Sequence, residues 1–285
     1  MSFAVVVVAY GSPELLRLAL APLASLPVVV VDNSSDPAVA EVARDYGCRY
    51  DDPGSNLGFA AGVNRGCALL APELDILVVN PDAVLSLAGA HLLHRQLRAT
   101  DAVAVVSPLL VGPVGAPQRA SWPFPTPARL WLEAVGLGRL NARHHDWVVG
   151  ACLMLRRTAL QQVGPFDESF FLYQEETDWQ RRAVDQGWQV QLSSAVTARH
   201  VGGGTSSNAL RRDQLFHAGA ETYVRKWFGA RGWLSYRAAA ILAAALRSAL
   251  PGGRGASARR RLVLYARGPR RQAGLPAYSR SNAAT

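Results

Sequence analysis

The sequence predicts an α/β fold: a mostly parallel sheet flanked by helices, followed by a basic helical C-terminal extension. Three observations predict it. Short apolar runs recur near residues 3–9, 28–31, 76–79 and 103–107. A polar or Gly-rich turn and then a helical stretch follow the early runs. Strands apolar along their whole length belong to sheets covered on both faces. Finally, residues 1–210 hold 15 Arg against 19 Asp and Glu, whereas residues 211–285 hold 15 Lys and Arg against 2 acids. A mildly acidic body therefore carries a strongly basic tail, which points to an anionic partner surface or to a solvated, loose end.

Phe3–Ala9 is a β-branched run ended by Tyr10-Gly11-Ser12-Pro13, so a strand is expected there and a helix over residues 14–23. Residues 28–31 and 32–35 repeat the plan, with a helix near residues 38–46. Arg49–Asp51 is a possible third strand, residues 56–70 begin Gly-rich and continue helical, and residues 76–79 form a strand that ends in Asn80-Pro81-Asp82. Residues 112–127 are rich in Pro and Gly and read as a loop. An apolar stretch follows at 147–155, with helices at 158–163 and 176–186 and a strand at 188–192. Residues 201–207 form a Gly/Ser loop, and helices are expected at 209–228 and 233–250. Beyond residue 250 little pattern remains and disorder is expected. The expected division is a domain over 1–228, with one half at about 1–110 and another at about 128–228, then an extension at 229–285.

At 285 residues, 49% apolar and 18% charged, the chain can bury one large core. Cys48, Cys67 and Cys152 are odd in number and widely spaced, which suits a reducing cytoplasm. No basic segment precedes the apolar run at Phe3, so no signal peptide is expected, and no uncharged run reaches the length of a membrane span.

Ligands of open parallel sheets bind beyond the carboxyl ends of the strands. Asp32 and Asp82 stand at two such ends, beside Ala9 and Tyr10 at a third. Asp32 would accept hydrogen bonds from a ribose or base, or else cap the next helix. Asp82 would hold a hard divalent cation on phosphate oxygens, or else cap the helix after Pro81. The stretch at 56–66, NLGFAAGVNRG, offers glycines for close backbone approach and a helix start for an anion, or simply a tightly packed helix. It is not a dinucleotide fingerprint, which argues against a dehydrogenase. Glu175 and Glu176 adjoin at a helix start beneath aromatic residues, an arrangement that can separate two carboxyl pKa values and leave one as a general base. Asp178 reads more simply as an ion-pair partner of Arg181 or Arg182. His200 precedes a Gly-rich run and is either a structural histidine or a further metal ligand.

In order along residues 3–207, these segments resemble the inverting family-two glycosyltransferases of the Rossmann-like GT-A fold, and most closely their rhamnosyltransferase-like branch. The resemblance is carried by 5–10 with 28–35 (VVVVDNSS), 56–66 (NLGFAAGVNRG), 77–82 (LVVNPD), 146–157 (DWVVGACLMLRR) and 164–187 (GPFDESFFLYQEETDWQRRAVDQG). It implies that Asp32 contacts the nucleoside, with Ala9 and Tyr10 framing the base. Asn56, Gly62 and Asn64 would lie near the donor, and Trp147 and Gly150 at the junction of donor sugar and acceptor. Asp82 and His200 would hold Mg²⁺ or Mn²⁺, and Glu176, or its neighbour Glu175, would be the base. The family's fuller metal motif is Asp-x-Asp, whereas Asn80-Pro81-Asp82 stands here, and its base is an Asp where this chain has Glu176.

The implied reaction is an inverting, metal-dependent transfer of a hexose, rhamnose or another deoxyhexose from a dTDP- or UDP-sugar. The acceptor would be a glycan or lipid-linked precursor of the cell envelope. A cytoplasmic protein is expected, peripheral at the inner membrane face through its C-terminal extension. Two alternatives stand beside it. A sugar-phosphate nucleotidyltransferase would need a basic Gly-rich loop after the first strand, where Tyr10-Gly11-Ser12-Pro13 stands. A non-catalytic binder using the basic tail on nucleic acid leaves the carboxylates unexplained, and the tail has few interleaved aromatics.

Overall fold

The computed structural model describes residues 2–138, 146–202 and 208–279. In chain order its elements are β1 (Phe3–Ala9), α1 (Pro13–Leu20), β2 (Val28–Asp32), α2 (Pro37–Asp45), β3 (Arg49–Asp51), α3 (Phe59–Ala68), β4 (Asp75–Val79), β5 (Ala83–Val84), α4 (Leu87–Arg98), β6 (Val103–Val111), β7 (Pro117–Gln118) and β8 (Ser121–Trp122). Then follow α5 (Pro127–Ala134), β9 (Trp147–Val148), β10 (Cys152–Leu155), α6 (Arg157–Val163), α7 (Glu175–Asp185), β11 (Gln189–His200), α8 (Ala209–Ser248), α9 (Gly252–Arg267) and α10 (Pro269–Gln272).

The chain forms two compact units. The first comprises the described residues of Met1–Trp122, Asp146–Phe171 and Glu175–Ser207. Its main sheet runs β3-β2-β1-β4-β10-β6-β11-β5, with β7 beside β6. β3, β2, β1 and β4 pair in parallel, as do β6 and β11. β10 enters antiparallel between β4 and β6. All seven residues of β1 are buried. Phe3, Val5 and Val7 join one apolar cluster and Val6 and Val8 another, which is the alternation of a strand covered on both faces.

α3 lies close on that second face because it is built from small residues. A side chain at Gly62 would meet Val8 at 2.7 Å, and one at Gly66 would meet Val6 at 2.5 Å. Gly62, expected near the donor, thus packs against the core at Val8. Gly62→Ala is expected to destabilise the protein by about 1–3 kcal/mol through overpacking, seen as a lower melting temperature. An unchanged melting temperature with lost nucleotide binding would return Gly62 to the site.

Polar side chains tie the sheet to its helices. Buried Asp75 accepts from His94 at 2.9 Å, from Arg98 Nε at 2.6 Å and from the Arg157 backbone N–H at 2.9 Å. Buried Arg156 donates to the carbonyls of Leu97, Thr100 and Val103, closing the end of α4 onto β6.

Several expectations need correction. The N-cap of α2 is Asp36, whose side chain accepts from the Ala38 N–H, so Asp32 is not the cap. The next helix after Pro81 begins at Leu87 with Ser86 as its N-cap, so Asp82 is not the cap of that helix. The 112–127 loop contains β7 and β8. The apolar stretch 147–155 splits into β9, paired with β8, and β10, in the main sheet. β11 runs well past residue 192, with a bulge near Ser193–Thr197 where serines dilute the apolar pattern.

The second unit comprises the described residues of Pro123–His145, Leu172–Gln174 and Asn208–Thr285. This unit joins segments from the middle of the chain to its C-terminal part, and the boundary expected at 228 falls within α8. α8 continues across that boundary with one break at Gly229. The disorder expected beyond residue 250 gives way to α9 and α10. The reason is that arginines serve as internal staples. Arg237 Nε donates to the Tyr265 carbonyl at 2.7 Å, Arg211 to that of Ala273 at 2.6 Å and Arg247 to that of Glu133 at 2.9 Å. No helix among the described residues is long and apolar enough to cross a membrane.

Candidate active site

The site is built along the carboxyl ends of three neighbouring parallel strands, β2, β1 and β4. There lie Asp32, then Ala9 and Tyr10, then the turn at residues 80–82. Ala9 is buried and its carbonyl accepts from the Asn33 N–H at 2.9 Å, whereas Tyr10 is half exposed. Asp32 is fully buried. One carboxylate oxygen accepts from the Ser34 N–H at 2.9 Å and from the Ser34 hydroxyl. The other accepts from the Asp36 N–H and the Tyr50 hydroxyl, both at 3.0 Å. Burial, reinforced by Asp32, pushes the Tyr50 phenol above its usual range, which keeps it a donor. Asp32 therefore shapes its own loop, and a nucleoside would contact it only where one of these donors gives way.

The glycine-rich stretch is also turned to structure. Asn56 accepts from the Gly58 N–H at 2.9 Å, and Gly58 takes a φ of +87° that admits the close approach of the Phe171 carbonyl. Asn64 grips the 164–173 segment from both ends of its amide. Its Nδ2 donates to the Phe166 carbonyl at 2.8 Å and to Glu168 at 2.9 Å, while its Oδ1 accepts from the Phe166 N–H at 2.9 Å. Asn64 thus positions the approach to α7. Trp147, expected at the donor–acceptor junction, is buried in β9 opposite Trp122.

The expected metal ligands do meet. β11 and β5 pair with His200 opposite Ala83, and the Val201 N–H donates to the Asp82 carbonyl at 3.0 Å. This ladder brings His200 Nε2 to 3.6 Å from Asp82 Oδ1, with Asp82 4% exposed. Asn80 Oδ1 is buried with no hydrogen-bond partner among the described residues. An imidazole, a carboxylate and an amide oxygen suit a divalent cation that draws its remaining ligands from phosphate and water. Among the described residues no cluster of three His, Cys, Asp or Glu surrounds the pair. Of the Gly-rich run after His200, residues 203–207 lie outside the described residues.

The carboxylates open α7. Tyr173 and Gln174 precede them with φ of +70° and +75°, two consecutive left-handed residues that are not glycine. Such strain, about 1–3 kcal/mol per residue, concentrates at functional sites. Glu175 and Glu176 are both buried, and Glu176 Oε1 lies 3.4 Å from the Gly150 N–H. Gly150 leaves the room that this carboxylate occupies, since a side chain there would meet Glu176 at 3.3 Å. Burial first, and the neighbouring Glu176 second, raise the Glu175 carboxyl well above the usual range. The sign follows. A raised folded-state pKa gives stability that is complete below the unfolded pKa and is lost as pH rises. Glu175→Gln is therefore expected to gain on wild type as pH goes from 5 upward, by up to about 1.4 kcal/mol per pH unit until the folded carboxyl ionises. Thermal unfolding across pH measures this, and a constant difference would contradict it.

Two contacts join the metal pair to the carboxylates: the Asn80 N–H donates to the Ala151 carbonyl at 2.9 Å, and the adjacent Gly150 meets Glu176. Sequence reasoning missed the residue that holds this segment in place. Gln180 Oε1 accepts from the Val148 N–H and its Nε2 donates to the Val148 carbonyl, both at 2.8 Å, so that α7 clamps β9. It missed Asn33 as well, which ties the β2 end to the Gly58 carbonyl at 3.0 Å. Nothing in the local pattern marks either residue. The expected Asp178 pair forms with Arg182 at 3.0 Å.

No family profile matches the chain. In sequence it is 28% identical to the low-salt glycan biosynthesis hexosyltransferase Agl10 of Haloferax volcanii, over 69% of this chain and 66% of that protein. It is 29% identical to an N-acetylglucosaminyl-diphospho-decaprenol L-rhamnosyltransferase of Mycobacterium tuberculosis, over 77% of this chain and 82% of that one. In structure it matches a mannosyltransferase of Pyrobaculum calidifontis solved with GDP-Man and Mn²⁺, with a TM-score of 0.55 at 14% identity over 95% of this chain and 82% of that one. The chain has the GT-A fold of these glycosyltransferases and is similar in sequence to a rhamnosyltransferase among them. A glucosyl-3-phosphoglycerate synthase of Mycobacterium tuberculosis, solved with Mn²⁺, UDP and phosphoglyceric acid, shares this fold with a TM-score of 0.53 at 15% identity over 78% of each chain. The GT-A sheet, with antiparallel β10 set between β4 and β6, accounts for the unit's departure from a wholly parallel arrangement.

Proposed function

We propose that this glycosyltransferase moves a deoxyhexose such as rhamnose from a dTDP- or UDP-sugar to a lipid-linked or glycan acceptor, with inversion, in cell-envelope glycan assembly. The observation that carries the reading is the chain of contacts from the Asp82–His200 pair through Ala151 and Gly150 to Glu176. Glu176 takes the proton of the acceptor hydroxyl as its oxygen bonds to the anomeric carbon. The bond from that carbon to the diphosphate oxygen breaks, and the nucleoside diphosphate leaves. Asp82 and His200 would hold Mg²⁺ or Mn²⁺, which when bound supplies positive charge to the leaving diphosphate. Ala9 and Tyr10 border the base, while Asp32, Asn56, Gly62 and Asn64 act by shaping the surrounding backbone. The sugar assignment rests on the rhamnosyltransferase relative, which is named for a decaprenol-linked acceptor.

A panel of UDP, dTDP, GDP and CDP, each with and without Mn²⁺ or Mg²⁺, tests the reading by thermal shift. One diphosphate should stabilise the protein selectively and only with metal. Indifference to all four would overturn it.

The second unit supports contact with an anionic membrane. Leu234, Leu246 and Leu250 are exposed at 61%, 60% and 44%. Arg231, Arg254, Arg259, Arg260 and Arg261 of the same unit are exposed as well. Exposed leucines and arginines match an interface of acyl chains and anionic headgroups. Replacing Leu234 and Leu246 together by Glu should release the protein from anionic vesicles while the melting temperature holds. Unchanged co-sedimentation would refute the contact.

A further inference from the structure

We infer that Gln118 is a positioning residue that fixes the tautomer of His200, leaving its Nε2 bare and facing Asp82. The inference rests on the proposed metal-site reading and concerns a residue that the reading does not include.

Gln118 stands on β7, which pairs with the end of β6 with Gln118 opposite Leu110. Its amide makes two bonds to one residue. Nε2 donates to the His200 carbonyl at 2.9 Å, and Oε1 lies 3.0 Å from His200 Nδ1. The first bond decides the second. A backbone carbonyl only accepts, so the NH₂ end of the amide must face it, and Oε1 must face the ring. Oε1 carries no proton, so the proton of that bond belongs to Nδ1. A neutral imidazole protonated at Nδ1 presents a lone pair at Nε2. That lone pair lies 3.6 Å from an oxygen of Asp82, itself an acceptor. The two face one another across a distance too long for a direct hydrogen bond, a spacing that a cation between them would bridge. The other tautomer would aim an N–H at Asp82 and close the site to metal. Gln118 therefore has the part that outer-shell acceptors play behind metal-bound histidines, where their loss weakens metal binding about 10–100-fold.

The expected signature needs no metal and no turnover. In ¹⁵N-histidine-labelled protein, with His200 assigned from the His200→Ala spectrum, His200 should be the Nδ1–H tautomer. Gln118→Leu should move it towards Nε2–H. Gln118→Glu, which keeps an acceptor for Nδ1, should restore Nδ1–H. A wild-type His200 already in the Nε2–H form would overturn the inference. Mn²⁺ titration followed by its electron paramagnetic resonance signal then tests the consequence. Gln118→Leu should bind Mn²⁺ about 10–100-fold more weakly, with Gln118→Glu closer to wild type. A changed tautomer with unchanged Mn²⁺ affinity would break the link from Gln118 to the cation. If His200→Ala also leaves Mn²⁺ affinity unchanged, the fault lies in the metal-ligand assignment and not in the tautomer.

Discussion

Glu176→Gln is expected to lower turnover by about 10² or more, the usual contribution of a positioned general base, with donor affinity retained. The amide keeps the size of the carboxylate and can still accept from the Gly150 N–H, 3.4 Å from Oε1 in the wild type. What it loses is the capacity to take a proton. Glu175 is the control. Its burial first, and Glu176 beside it second, raise its carboxyl well above the ordinary range, the direction that favours its protonated form. Glu175→Gln should change turnover by only a few-fold. Single-turnover measurements with a hydroxyl acceptor separate the two variants. The reverse pattern would pass the role of base to Glu175.

Asp82→Ala is expected to remove the metal-dependent part of nucleotide binding. A diphosphate at about a hundred times its dissociation constant stabilises a protein by about 2.7 kcal/mol. In the variant the shift seen with Mn²⁺ should fall to that seen without it. His200→Ala should weaken the same response without abolishing it, because imidazole supplies a ligand and no charge. Asp82 is almost fully buried, so a stability change in the absence of ligand is measured alongside. A full metal-dependent shift in Asp82→Ala would take Asp82 out of the site.

Much of the first unit could be read from the sequence because its signals are local and strong. Apolar runs buried along their whole length define β1, β2 and β4, and turn residues stop each of them. The end of each strand named a candidate site residue, and Asp82 and His200 do converge. Less legible were features decided by distant partners. Asp32 was expected to contact the nucleoside and Asn64 to lie near the donor, and their bonds to Tyr50 and Phe166, neither near in sequence, could not be foreseen. Gln118 and Gln180 carry no periodicity and no motif, and their function lies in which backbone they meet. The basic tail misled for another reason. A run rich in Arg reads as solvated, but Arg211, Arg237 and Arg247 each close a helix end on a carbonyl. Charge counts cannot foresee that.

The placement of β10 bears on how the chain is made. Cys152–Leu155 inserts between β4 and β6, both of which leave the ribosome earlier. Until it arrives, the nascent chain holds two open strand edges that cannot satisfy one another in the native order. Unpaired edges recruit other chains, and pairings between distant segments form slowly. Synthesis is therefore most exposed to aggregation between the emergence of β6 and that of β10. Translation that pauses in this interval should produce insoluble chains, fewer after residue 155, when β6 still waits for β11 at its other edge, and fewest after residue 200.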